Sequence, residues 1–518
     1  MTGTKTPLDA KVSVSGSSAA AAVLRDHLAF LGLEVVRGGP TELAAEAVLD
    51  VPGGRHVVRV DWAGPVAVPG LRDEATVQAA CGVAHVHGRS TGSPRGLGID
   101  YCGTAAGVLA VTGLLASALR DPLGEHVVET SVAEAALLTV SQYLAAAGED
   151  FAPGGPPFTT ADGVRYEIEA LVPERWGGFW TALGAPTRAI AVGWRPFLFR
   201  YATATAPLPV ELYEISRAAT FDQVRAAARA SGADLCVLRG PADLPAGGHP
   251  WQITTLPHPA PDVGLGTVWE AGRRVQAPMA ANLLRLLGAR VVRVEPPDGD
   301  PLRGMPPTTG GLSARWLALN RGKDAVEIDL KDPTARRWLR ERVRAADVFL
   351  HNWAPGNAER WGLTAADLPG TVHVHTSGWA DSPDADLPMG TDFMVQARTG
   401  LAHLVRPLDE EPAPSMMTLV DVLGGLIGAE ATLVGLLARR ATGRGVSVRS
   451  SLLGAATALS QGGSARRPAG FRRPVDGRIG GVPVVTDLTA LLDDPAFAAV
   501  LRRDEHGAAA LSAPWRFL

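Results

Sequence analysis

Asp421 opens the run TLVDVLGGLIG, with Gly424, Gly425 and Gly428 behind it. A carboxylate at a helix start is held ionised by the N–H groups of that helix end, which suits a nucleophile. Neighbouring glycines remove side chains, so a ligand or another backbone can come close. The same placement suits a plain N-cap, and the residue types leave the two readings level. A second acid has similar surroundings: in GIDYCGTAAG, Gly103 and Gly107 follow Asp100 at the offsets that Gly424 and Gly428 hold from Asp421. Elsewhere, NRGK (320–323) sets Arg321 and Lys323 around Gly322, just ahead of a strand, and Arg303 lies upstream in DGDPLRG. Two cations on a tight turn suit phosphates, but the residues alone favour a solvated loop with ordinary surface charge. His373 and His375 alternate on one strand face, but further ligands at metal spacing are missing, so ordinary hydrogen-bonded histidines are expected. GLGT (264–267) lacks the third glycine of a dinucleotide fingerprint.

The elements that position these residues are legible. MAANLLRLLG has apolar residues at helical spacing and stops at Gly288, and the valine-rich ARVVRVE follows as a strand. DPTARRWLRERVRAA predicts an amphipathic helix with Asp332 as N-cap and Pro333 in its first position. DVFLHN and TVHVHTSG predict buried strands. Alternation of this kind implies a doubly wound parallel sheet. The pattern occurs twice. VQAACGVAHV (77–86) resembles VQARTGLAHL (395–404), and LRDHLAFLGLEVVR (24–37) resembles LLRLLGARVVR (283–293). Two units are expected, at 11–147 and 266–460, the second longer by an insert that holds NRGK.

The domain reading is therefore a degenerate large-domain copy at 1–150, a small α+β domain at 151–260, a complete large-domain copy at 261–462, and a linker with a helical tail at 463–518. The fold class expected is α/β, a Rossmann-like sheet in two copies plus the small domain. With 49 basic and 53 acidic residues the net charge is −4, which argues against a nucleic-acid footprint. No signal peptide is evident and the apolar runs are interrupted, so no membrane span is expected. Three cysteines without motif spacing suit a reducing cytoplasm.

The ordered run from VQAPMAANLLRLLGARVVRVEPPDGDPLRG through LALNRGKDAVEIDLKDP, NWAPGNAERWGL and GTDFMVQARTGL to DVLGG and TGRG resembles the family III CoA-transferases. That group contains formyl-CoA transferase, carnitine CoA-transferase and α-methylacyl-CoA racemase. The resemblance implies an acyl-CoA:carboxylate CoA-transferase in which Asp421 attacks the thioester and forms an aspartyl-CoA intermediate. It places Gln276, Gly424 and Gly425 beside Asp421, with backbone N–H groups near the glycines as oxyanion donors. It assigns Arg303, Asn320, Arg321 and Lys323, with the loop Asn352, Pro355 and Gly356, to CoA. It implies acyl-CoA and a carboxylic acid as partners, no metal, and either an intramolecular pseudo-dimer or a homodimer. A carrier-protein thioester stays open, as do a racemase-like or other acyl-thioester enzyme and a non-catalytic binding protein. The racemase histidine falls on Thr391, which is not a useful base. The linker arginines Arg466, Arg467, Arg472 and Arg473 are expected to be solvated. Ala20 stands where the second copy has Gln276, so Asp100 is expected to be structural.

Overall fold

The computed structural model describes residues 8, 10–149, 151–244, 248–261, 264–380, 382, 386–461 and 472–518. Of the linker arginines, Arg466 and Arg467 lie outside these residues. The first region runs β1 (Lys11–Ser15), α1 (Ala19–Phe30), β2 (Glu34–Arg37), β3 (Ala45–Val51), β4 (Gly54–Asp61), α2 (Glu74–Ala80), α3 (Tyr101–Arg120) and β5 (Gly124–Ser131). The sheet order is β2-β1-β3-β4-β5. β1–β2 and β4–β5 are parallel, while β3 is antiparallel to both its neighbours. A β3–β4 hairpin occupies the middle of this sheet, so it is mixed rather than parallel.

The small domain joins β6 (Phe158–Thr159), β7 (Arg165–Glu169) and β8 (Asp234–Val237) in an antiparallel sheet, with α4 (Pro173–Ala182), α5 (Thr187–Thr203) and α6 (Phe221–Ser231). It has its own aromatic core, in which Trp176, Phe179, Trp180, Phe158 and Phe197 pack together. An edge strand β9 (Gln252–Pro259) then enters the second large sheet. There follow β10 (Thr267–Ala271), α7 (Gln276–Leu286), β11 (Arg290–Glu295), β12 (Asp324–Glu327), α8 (Pro333–Arg344), β13 (Val348–His351), β14 (Val372–Ser377), α9 (Asp392–Arg398), α10 (Leu419–Thr442) and β15 (Arg444–Ser451). The order is β12-β11-β10-β13-β14-β15-β9, parallel throughout except for β9. Asp332 caps α8 as expected, accepting from the N–H groups of Thr334 and Ala335.

The two long helices α3 and α10 are apolar on every side, as fully buried helices must be. Both pass the length and hydropathy of a membrane span, yet every residue of the most apolar α3 window, and nearly every one in α10, is buried inside the fold. They pack on each other, with α1 on α3 and α7 on α10, so that one continuous core serves both large sheets. The tail differs from the expected helix. After a short turn of helix (Thr489–Asp493) it forms the hairpin Leu501–Arg503/Ala509–Leu511, and Arg516–Phe517 pairs with β5. The turn residues in LRRDEHGAAAL decide this: Asp504 and Gly507 make the turn, with Asp504 accepting from the N–H groups of His506 and Ala508.

The two regions repeat one corner. In the first, Glu74 accepts from the N–H groups of Cys102 and Gly103, both at 2.8 Å, and from Gln78. In the second, Asp392 accepts from Asp421 N–H at 2.8 Å and from Gln396. This register pairs Gly103 with Asp421. The glycine contacts agree: a Cβ on Gly107 would meet Ala20 O and Val23, and one on Gly425 would meet Gln276 O and Met279. Farther along, Gly113 faces Val128 and Gly435 faces Val448. α3 has 20 residues and α10 has 24, one extra turn that falls between these glycines. The Asp100–Asp421 match of the sequence is therefore corrected. Asp100 is the N-cap residue of α3 and its counterpart is Thr418, the N-cap residue of α10.

Candidate active site

Asp421 lies in the first turn of α10, not at its cap. Its N–H is held by Asp392, while its carboxylate is partly exposed to a cleft of about 880 Å3 and accepts no hydrogen bond from any described residue. Burial pushes its pKa up to about 6, against the charge of Arg274, which draws it down; Glu169 adds to the rise. Asp392, fully buried beneath it, is pushed well above the ordinary carboxyl range, by burial first and then by the charge of Asp421. Two acids this close repel each other when both are ionised, and Asp392, the more deeply buried, is the one held well above the ordinary range.

Gln276, at the start of α7, points its amide into the same cleft and donates to Ser377 O at 3.3 Å. Gly424 and Gly425 do not face the cleft as N–H donors, because their N–H groups lie inside the helix. A Cβ on Gly424 would fall 3.0 Å from Gln276 Nε2, and one on Gly425 would fall 2.7 Å from Gln276 O. These glycines let α7 and α10 approach and leave Gln276 its place. The loop from Asn352 to Gly356 lines the opposite wall. Asn352 acts on backbone: its Oδ1 accepts from Arg273 N–H at 3.0 Å and its Nδ2 donates to Arg273 O at 2.9 Å. Gly356 turns the loop at φ +83°, the left-handed region that favours glycine.

The structure does not bring Arg303, Asn320, Arg321 and Lys323 into this cleft. Each is engaged by the chain itself. Lys323 Nζ donates to Glu270 at 2.8 Å, Pro278 O at 2.8 Å and Asn320 at 3.0 Å, and only 1% of its side chain is exposed. Burial draws its pKa down to about 8. Arg321 pairs with Asp504 of the tail hairpin, Arg303 pairs with Glu295 and lies over Trp316, and Asn320 also accepts from Arg293. Buried carboxylates thus saturate the turn that the sequence offered to phosphates. Arg472 likewise is no solvated linker charge: it is buried on Asp100, Leu97 O and Ile99 O. Arg473 pairs with Glu410 and Asp409.

His373 and His375 donate to backbone carbonyls, as expected of ordinary hydrogen-bonded histidines: His373 Nε2 to Leu363 O and His375 Nε2 to Trp353 O, each at 3.1 Å. Among the described residues there is no group that could hold a metal ion. Three site residues escaped the sequence reading. Asp392 sits at the start of α9, one residue past Thr391 and four before Gln396, a spacing that also joins Glu74 to Gln78. Glu169 reaches in from the small domain and accepts from Thr391 at 2.8 Å and Arg200 at 3.2 Å. Arg274 adjoins Gln276 in GRRVQAP. The first region adds support from behind, where Tyr143 OH accepts from Thr418 N–H and Tyr101 OH donates to Leu419 O, each at 3.3 Å.

CoA-transferase family III matches residues 266–486. A succinyl-CoA:glutarate CoA-transferase from Mus musculus is 32% identical over 187 residues, 35% of this chain and 43% of that protein. The beta subunit of a succinyl-CoA–L-malate CoA-transferase from Chloroflexus aurantiacus is 34% identical over 193 residues, 36% of this chain and 47% of that protein. The chain thus spans about half the length of these curated relatives. A CAIB/BAIF family protein from Brucella suis, 28% identical, superposes with a TM-score of 0.36 over 41% of this chain and 60% of that one. The stretch that matches the family model, residues 266–486, carries Asp421 and most of the residues that line its cleft.

Proposed function

We propose that the protein is an acyl-CoA:carboxylate CoA-transferase acting through Asp421. The observation that carries this reading is a carboxylate in the first turn of a helix, open to a cleft and free of hydrogen-bond donors among the described residues, above the buried carboxyl of Asp392. Asp421 Oδ attacks the thioester carbonyl, the C–S bond breaks, and CoA leaves as a thiolate. The thiolate then attacks the aspartyl carbon of the mixed anhydride, releasing the donor acid and leaving aspartyl-CoA. The acceptor carboxylate repeats the sequence in reverse and regains CoA with no net proton change. Gln276 lines the same cleft and supplies amide N–H to the developing oxyanion. The Asn352–Gly356 loop and the exposed Arg273, fixed by Asn352, serve the CoA tail in place of Arg321 and Lys323. A pantetheine arm on a carrier protein would present the same thioester end to the cleft.

In this reading the first region stands in for a partner subunit, since it buttresses the N-terminus of α10. The two regions are diverged copies of one unit, and the chain is an intramolecular pseudo-dimer. All three cysteines are free and buried, which suits the cytoplasm, where acyl-CoA is available. Thr391 hydrogen-bonds Glu169 and offers no base for racemisation. The test is chromatographic: succinyl-CoA is incubated with a panel of carboxylic acids, and new CoA thioesters are measured alongside deuterium uptake at the α-carbon. Transfer without uptake supports the proposal; uptake without transfer refutes it.

A further inference from the structure

Arg274 occupies a left-handed backbone conformation, φ +63°, which costs an ordinary side chain about 1 kcal/mol. Its neighbour Arg273 is clamped through both backbone groups by Asn352, so the turn is held in that shape. The guanidinium lies 5.3 Å from the ring centroid of Tyr201 and lines the Asp421 cleft. It is half-buried, and it has no hydrogen bond or ion pair with any described residue. A half-buried, unpaired cation on strained backbone is costly to keep, and it stands beside the reacting acid.

Its electrostatic partner is transient. While Asp421 is ionised, the two charges attract through space. Acylation converts that carboxylate to a neutral anhydride and removes the countercharge. Glu169, whose charge also reaches Asp421, is already engaged by Arg200 and Thr391, and Asp234 on the cleft wall accepts from Met389 N–H. A substrate that carries its own anion would restore the balance at the step where it is lost.

We propose that Arg274 reads the acyl chain: it pairs with a second carboxylate, so the donor is the CoA thioester of a short dicarboxylic acid. This rests on the transferase reading. Discrimination of about ten- to a hundredfold follows from one charge-assisted pair in a partly desolvated cleft.

Succinyl-CoA and butyryl-CoA share a four-carbon chain and differ by one carboxylate. Calorimetric titration of the full chain with each, together with CoA release from each in the presence of hydroxylamine, tests the assignment. The wild type should favour succinyl-CoA by the factor above. Arg274→Met should bring the binding ratio close to one by weakening succinyl-CoA alone, and Arg274→Lys should restore part of it. Arg274→Gly suits the left-handed backbone, so it should melt at a higher temperature and still fail to discriminate. An unchanged ratio in Arg274→Met would overturn the proposal, as would equal weakening of both thioesters; in either case CoA release would leave the transferase reading standing. If no CoA is released from either thioester, that reading fails, while the binding ratio still decides the role of Arg274.

Discussion

The corner beneath α3 and the corner beneath α10 share a scaffold and differ in one reactive group. Both have a buried acid, Glu74 or Asp392, that gathers backbone N–H groups at a helix start and is braced by a glutamine four residues on. Both acids are pushed upward by burial. Above Asp392 the next helical residue to face the cavity is Asp421; above Glu74 it is Gly103. The first corner also opens on a cavity, of about 1200 Å3, so what it lacks is a nucleophile rather than space. The lesson is that the buried acid belongs to the architecture of the helix start, and the chemistry depends on what stands over it.

Replacing Asp421 should separate the two corners most sharply. Asp421→Asn should lower CoA transfer about a thousandfold or more, while Asp100→Asn leaves transfer within about twofold because Asp100 holds Arg472 and does not line the Asp421 cleft; steady-state assay of both variants checks this. Lys323→Met should unfold more readily by about 2–3 kcal/mol, since it strips a partner from the buried Glu270. Its KM for acyl-CoA should stay within about twofold, because the ammonium does not reach the cleft. A large rise in KM without loss of stability would instead return Lys323 to the phosphates. Asp100→Asn should cost about 1–2 kcal/mol in denaturant, from the weakened hold on buried Arg472.

Hydrophobic periodicity made the parallel sheet and the small domain legible, while Asp421 and Gln276 were singled out by the resemblance of the ordered run to CoA-transferase family III. The register of the two long helices was hidden. A one-turn length difference inside α10 lets glycine offsets match at the wrong acid, and only contacts to α1 and α7 distinguish the two alignments. The fate of NRGK was hidden for another reason. Its partners Glu270 and Asp504 lie 53 and 183 residues from the cations they hold, and a charge pattern shows the cations without saying what neutralises them. Glu169 likewise comes from another domain, and nothing in RYEIEALV marks which of its acids will reach the cleft.

Titration sharpens the comparison further. Asp421 holds a proton more tightly in the folded chain than its ordinary value of 3.8 allows, up to about 6. Stability should therefore fall as pH rises from about 4 to 6, while activity rises through the same window. Asp421→Asn should be inactive yet more stable than wild type at pH 7 by about 1 kcal/mol, after allowance for solvent at a partly exposed group. Melts of the two proteins at pH 4 and pH 7 measure this directly. A modest effect is expected at Asp392→Asn. A group already neutral loses no charge, so transfer at pH 7 should change by no more than a few-fold; a larger loss would mean that Asp392 is the ionised member of the pair.

The measurement closest to the core of the account is peptide mass spectrometry after incubation with succinyl-CoA and hydroxylamine. Activated as anhydride or thioester, the side chain of Asp421 should be recovered as a hydroxamate, with Asp100 and Asp392 unmodified. An unmodified Asp421 in a protein that still moves CoA between acids would contradict it.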